Sequence, residues 1–202
     1  MQKLKIRVVV GATAAVAFAL LGAAGPVMAA STSTTATTTT AMYSGGWDAA
    51  VAQAHGFQLE TINGQTVSVP VTAAAKQLVS SSNSLSSSAI KPDNTVTGNC
   101  GSSTVTTIYE GSGRVKVLTS YIVRLPSVDQ SWYVTLTSVG GAFLDEMNFS
   151  GLNGSTHWVG APQTSPASTI AEQGGDAQVT FGSFAILDDG DVCFSGGPID
   201  WW

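Results

Sequence analysis

The sequence predicts an all-β protein: an antiparallel β-sandwich or barrel of about seven or eight strands, cross-linked by one disulfide and preceded by a short helix and hairpin. Three observations predict this class. After about residue 91, strand-like runs recur at intervals of roughly ten residues, with turn residues between them. That region shows no helical periodicity. It also contains both cysteines of the chain, Cys100 and Cys193.

The amino-terminal segment has the pattern of a signal peptide. Basic residues come first, an apolar stretch follows over residues 8–25, and Pro26 ends it. Val27 and Ala29 then fit the small-residue rule for cleavage. An uncleaved anchor would need about 18 strongly apolar residues, whereas this stretch is mostly Ala, Gly and Val. We predict a signal peptide over residues 1–29 and a secreted, extracellular product with no membrane segment in its mature form.

The charge balance excludes two classes of partner. The chain has 8 basic and 13 acidic residues, for a net charge of −5. Cleavage of the signal peptide would make the product more acidic still. Such a domain repels phosphate backbones and anionic lipid, so we expect no nucleic-acid partner and no membrane partner. The low Lys content, with abundant Ala, Gly, Val and Thr, resembles that of bacterial exported proteins from GC-rich, Gram-positive organisms.

Composition divides the remaining chain into four segments. They are a Ser/Thr-rich disordered spacer, a helix and hairpin accessory segment or pro-segment, a Ser-rich linker and the β domain. Their bounds are residues 30–41, 42–79, 80–90 and 91–202. Whether the second segment is a separate module, a removable pro-segment or part of the β domain is left open, and so is the oligomeric state.

Local signals predict three elements in the accessory segment. Apolar residues at helical spacing from Trp47 predict a short helix. Asn63-Gly64, between two strand-like runs, predicts a type I′ hairpin because this dipeptide tolerates positive φ angles. Thr72 is the predicted N-cap of a second short helix.

The strands of the β domain follow in order. In the third run, Trp132, Val134 and Leu136 alternate with polar residues, which predicts that they share the buried face. Asp189-Gly190 predicts a tight hairpin between the last two strands. The strand-like runs are STVTTIYEG, RVKVLTSYIVRL, SWYVTLTSV, GAFLDEMNFSG, HWVGA, AQVTFGSFAIL and DVCF.

Cys100 and Cys193 are predicted to form a disulfide. An even cysteine count in an exported chain favours pairing. Neither cysteine has a His or Cys at metal-ligand spacing, and neither lies in a motif that would activate a thiol. In the chain-entropy model, closing so long a loop stabilises the fold by about 4.5 kcal/mol.

The run from Phe194 to Pro198, FSGGP, resembles the Asp-Ser-Gly-Gly-Pro run around the nucleophile of chymotrypsin-like proteases. The segment around His55 resembles their general-base segment, and the His-before-Ser order matches. However, Phe194 replaces the acidic residue, His55 lacks the following Cys, and seven residues after Ser195 are too few to complete that fold. We interpret Ser195 as part of a turn.

Several carboxylates are candidates for other chemistry. The segment around Glu172 resembles that of β-sandwich glutamic proteases, which need a partner Gln in a Trp-lined cleft. Asp145 and Glu146 are adjacent and should point to opposite faces of a strand, so a glycosidase would need a distant partner. Weak calcium candidates lie in the loop LDDGDV, namely Asp188, Asp189 and Asp191, although a calcium ion takes six to eight oxygen ligands.

Aromatic residues are the candidate ligand-binding groups, because an exposed aromatic ring on a sheet can stack on a sugar ring. Packing within the core is the competing interpretation. The candidates are Trp132, Tyr133, Trp158, Trp201 and Trp202.

We predict a secreted, non-enzymatic β domain that binds a cell-envelope glycan or an extracellular protein. The alternatives are a secreted hydrolase that uses Glu172 or Ser195, and a secreted protease inhibitor. No cofactor is expected, apart from the calcium alternative.

Overall fold

The computed structural model describes residues 37–86 and 99–202, with side chains in the first range through residue 82. The predicted signal peptide, residues 30–36 of the spacer and residues 87–90 of the linker lie outside these ranges. Within them the all-β prediction is confirmed, with antiparallel sheets, the disulfide and a short helix and hairpin.

The described residues form fourteen strands, two α-helices and one 3-10 helix. The α-helices are α1 (Ala49–Ala54) and α2 (Ala73–Ser86), and the 3-10 helix is Ala171–Gln173. The strands are β1 (Thr37–Trp47), β2 (Phe57–Ile62), β3 (Gln65–Pro70), β4 (Gly101–Gly111), β5 (Arg114–Val123), β6 (Ser127–Ser131), β7 (Tyr133–Ser138), β8 (Phe143–Asn148), β9 (His157–Val159), β10 (Gln163–Thr164), β11 (Gly175–Val179), β12 (Phe184–Leu187), β13 (Asp191–Ser195) and β14 (Ile199–Trp201).

The large sheet has the order β10-β5-β4-β1-β13-β12-β6, with β9 also paired to β5. Its central strand corrects the predicted spacer, because residues 37–41 are the first half of β1. Threonine favours extended backbone, and β1 pairs with β4 on one side and β13 on the other. The first strand therefore belongs to the β domain.

The small sheet has the order β14-β11-β7-β8. Two predicted strands each divide between the sheets. The run containing Trp132 ends β6 in the large sheet and begins β7 in the small one, and the run AQVTFGSFAIL becomes β11 and β12. These divisions, and the short β10 and β14, explain why there are more strands than the seven or eight predicted.

The accessory elements follow the predicted signals. Asn63 and Gly64 have φ angles of 51° and 78° and close the β2–β3 hairpin. Thr72 caps α2, since its Oγ1 accepts a hydrogen bond from the Ala75 amide at 3.2 Å. The helix then continues to Ser86, into the predicted linker. There Ser80 Oγ donates to the Lys76 carbonyl oxygen at 2.8 Å, so a serine hydroxyl finds its partner within the helix.

Both sheets and the accessory elements contribute to one core. Its largest side chains are Tyr121, Trp132 and Trp158, whose ring centroids lie 5.0–5.8 Å apart. The Trp132 Nε1 donates to Thr119 Oγ1 at 3.0 Å. The Tyr121 hydroxyl donates to Gln130 Oε1 at 2.7 Å, and burial raises its pKa to about 12.

Cys100 and Cys193 form the predicted disulfide, with Cα atoms 5.8 Å apart. Cys100 immediately precedes β4, and Cys193 lies in β13. The bond therefore joins the two strands that flank β1. Within residues 37–86 and 99–202, no helix has both the length and the apolar character needed to span a bilayer.

Candidate functional site

The outward side of the small sheet carries aromatic, acidic and amide side chains. Alternation along β11 defines this side: Ala177 and Val179 are buried, whereas Asp176 and Gln178 point away from the core. Register with the neighbouring strands places residues of all four strands beside them. We call this surface the aromatic face, formed by Tyr133, Thr135, Thr137, Phe143, Glu146, Asn148, Asp176, Gln178, Ile199 and Trp201.

One row across the aromatic face has an aromatic residue at each end. Trp201 pairs with Asp176, Asp176 with Thr137, and Thr137 with Phe143. Trp201 and Phe143 are 64% and 65% exposed. Three strand spacings of about 4.8 Å separate them, so the row is about 14 Å long.

Trp201 is held outward by the residue before it. The Asp200 side chain is buried and accepts hydrogen bonds from the Thr107 amide at 2.6 Å and the Thr107 hydroxyl at 2.7 Å. Because successive side chains of a strand alternate, anchoring Asp200 inward directs Trp201 to solvent.

A third aromatic residue lies beside the face. Phe181 is 74% exposed, and its ring and the Gln178 amide both lie against Gly197. Gly197 has a φ angle of 67°, and a side chain at that position would crowd both groups. Phe181 therefore borders the second row, in which Gln178 pairs with Thr135 and Thr135 with Glu146.

The charge on the aromatic face is negative. Within the part of the chain that the structure describes, the Asp176 and Glu146 carboxylates have no hydrogen-bond or ion-pair partner. Asp176 is half-buried, and burial raises the pKa of its carboxyl group. Both carboxylates remain available to a ligand.

A cavity of about 360 Å³ adjoins the third row of the face. Tyr133 and Asn148, which pair across β7 and β8, form one of its walls. Asp129, Gln130 and Leu152 are among its other lining residues. The aromatic face thus continues into a depression with polar and apolar walls.

The predicted ligand-binding aromatics divide into three groups. Tyr133 and Trp201 share the aromatic face. Trp132 and Trp158 are fully buried, which corrects their assignment as ligand-binding residues, because no ring face reaches solvent. Trp202 is partly buried and donates from Nε1 to the Ala171 carbonyl oxygen at 3.0 Å.

Among the described residues, none that could act as a general base lies beside Ser195. This serine is buried, and its Oγ lies 2.8 Å from Ser103 Oγ and accepts from the Gly197 amide at 3.1 Å. His55 instead pairs through Nδ1 with Asp188 Oδ1 at 2.6 Å. His157 is exposed on β9. This geometry supports the interpretation of FSGGP as a structural turn.

Glu172 is exposed on the 3-10 helix and lines a cavity of about 270 Å³ with Gln173, Tyr109 and Trp202. A glutamine and a tryptophan therefore do lie near this glutamate. The glutamine is, however, its neighbour in the chain.

The calcium candidates are paired with basic side chains of the protein. Arg124 bridges Asp189 Oδ2 at 2.6 Å and Asp191 Oδ2 at 2.8 Å. His55 pairs with Asp188, and Ser44 Oγ donates to the other Asp191 oxygen. These contacts use one oxygen of Asp188, one of Asp189 and both of Asp191.

Phe143, Phe181, Asp176 and Gln178 were not among the predicted site residues. Alternation in DAQV indicates that Asp176 and Gln178 share one face of a strand. The sequence therefore contains a pattern from which these two of the four residues could have been identified. Their proximity to Phe143 depends on strand register, which is a property of the folded sheet.

Comparisons with models of known protein families, with curated proteins and with solved structures found no match.

Proposed function

We propose that the protein is a secreted, non-enzymatic β domain that binds a glycan of the cell envelope or its surroundings through the aromatic face. The observation that carries the proposal is the row from Trp201 to Phe143. Two large aromatic side chains, almost two-thirds exposed at the ends of one sheet row, present ring faces on which a ligand can stack.

The chemistry of the row fits a sugar polymer. An aromatic ring stacks on the C–H face of a pyranose, and its stiff side chain loses little entropy on binding. Between the rings, Asp176 and Thr137 offer hydrogen-bonding groups to the hydroxyls of the sugar. The row of about 14 Å suits several sugar units better than one.

Secretion is part of the proposal and is supported by the signal-peptide pattern and the disulfide. Disulfides persist in oxidising compartments and are rare in the cytosol. A bacterial source is supported by composition alone. A protein partner is the alternative that stands if no polysaccharide retains the protein.

The test is depletion of purified protein by insoluble polysaccharides and cell-wall preparations. We expect Trp201→Ala to weaken retention about tenfold or more, since truncating a binding tryptophan commonly costs about 2 kcal/mol. Phe143→Ala should weaken it as well. Both variants should unfold at the same temperature as the parent protein, because these side chains are exposed.

Tyr43→Ala is the matched control. Tyr43 is 54% exposed and lies on β1 of the large sheet. Retention that survives Trp201→Ala but fails in Tyr43→Ala would move the site to the other sheet, and no retention on any polysaccharide would reject the glycan.

A further inference from the structure

We infer that the glycan bound by the aromatic face carries free amino groups, as in a deacetylated amino-sugar polymer, and that Asp176 and Glu146 bind its ammonium groups. This inference rests on the proposed function and specifies its ligand class.

Charge complementarity is the first support. No lysine or arginine follows Arg124 in the sequence, whereas nine acidic residues do. All four strands of the small sheet lie in that part of the chain, so the aromatic face has carboxylates and no Lys or Arg of its own. A polyanionic glycan would be repelled, and a polycationic one attracted.

The position of Asp176 is the second support. Asp176 lies in the row between Trp201 and Phe143, so a glycan stacked on those rings would cover its carboxylate. Covering a charged group without a partner is costly. The hydroxyls of a neutral polymer would offset part of this cost, whereas an ammonium group would form a charge-assisted hydrogen bond with the carboxylate, which is the stronger interaction.

The spacing of the carboxylates indicates a polymer. Asp176 and Glu146 lie two strands and one row apart, which separates their Cα atoms by about 12 Å. A single amino sugar cannot contact both groups, but successive units of one chain can. The flanking rings supply the stacking contacts, so the site is more than a pair of acids.

The experiment compares two ligands with the same sugar backbone: chitin, whose amino groups are acetylated, and the same material after deacetylation, which frees those groups to carry charge. Binding isotherms on both should show about tenfold tighter binding to the deacetylated polymer at low salt, which is the sum expected of two exposed ion pairs. High salt should reduce that preference.

The variants separate stacking from charge. Asp176→Asn and Glu146→Gln should each weaken binding to the deacetylated polymer by more than they weaken binding to chitin. Trp201→Ala should weaken binding to both. Glu60→Gln, at an exposed carboxylate on β2, is the matched control and should change neither.

Three outcomes would contradict the inference. Equal affinity for the two polymers would overturn it and leave the proposed function in place. Equally strong capture by polylysine would overturn it by showing general attraction to cations. Absence of binding to either polymer and to neutral cell-wall glycans would reject the inference and the proposed function together.

Discussion

Asp176 is half-buried without a cation or donor beside it in the described part of the chain. A carboxylate in that position disfavours folding relative to a neutral side chain. Ionisable residues whose pKa is shifted by their surroundings are more common in functional sites than elsewhere. The raised pKa of Asp176 therefore marks a carboxylate whose partial burial is not offset by a partner within the described residues.

This environment predicts a pH-dependent difference between the protein and its Asp176→Asn variant. The folded-state pKa of Asp176 lies above its unfolded value. The contribution of the Asp176 carboxyl group to the free energy of unfolding is therefore fully present at pH values below the unfolded-state pKa. It is lost as pH rises through the folded-state pKa. At pH 7 the variant should be equally stable or more stable, by less than about 1 kcal/mol, because water screens a half-exposed group.

Urea unfolding of both proteins at pH 3 and pH 7 measures the effect. The difference in the free energy of unfolding between the two proteins should be smaller at pH 3 than at pH 7. A variant that is clearly less stable than the parent at pH 7 would show that Asp176 has a structural partner.

At the scale of elements, the turn between β12 and β13 connects the accessory segment to the β domain. The Asp48 amide donates to the Gly190 carbonyl oxygen at 2.7 Å, and Ser68 Oγ donates to the Asp189 carbonyl oxygen at 2.7 Å. Arg124 holds the same turn from the end of β5. Burial alone would lower the pKa of Arg124, but Asp189 and Asp191 more than offset this and raise it.

Removing Arg124 should therefore destabilise the protein strongly. Arg124→Met would leave the buried carboxylates of Asp189 and Asp191 without their guanidinium partner. We expect the free energy of unfolding to fall by about 3–5 kcal/mol. Chemical denaturation measures it. Arg114→Met, at an exposed position on β5, is the control, and a similar small loss in both variants would contradict the role of the bridge.

Elements specified by local chemistry were predictable from the sequence. The Asn63-Gly64 hairpin and the Thr72 cap depend on a few adjacent residues, and both are confirmed. The Thr-rich half of β1 was not predictable, because it has no apolar alternation and its partners, β4 and β13, are distant in sequence. The prediction that Trp132 is buried is confirmed. The chain passes from the large sheet to the small sheet at this residue, and no pattern of adjacent residues indicates that change.

The same limit applies to the site. Of the predicted ligand-binding aromatics, Tyr133 and Trp201 lie on the aromatic face, whereas Trp132 and Trp158 are buried. Phe143 and Asp176 depend on pairing between strands that are remote in the chain. Register across three strand pairs cannot be read from a single sequence.

At the scale of the whole molecule, the disulfide is predicted to make a large contribution to stability. Its cysteines are 93 residues apart. Substituting both with Ala should reduce the free energy of unfolding by about 4.5 kcal/mol. Denaturation with and without reductant checks this expectation, and an unchanged midpoint under reduction would contradict it.

The central position of β1 has a consequence for the order of folding. Met42 pairs with Ser195, close to the far end of the chain. Of its two neighbours, β1 therefore has only β4 until β13 becomes available. Such long-range closure is slow. During folding, the edge of β1 that later pairs with β13 is open to water or to another strand.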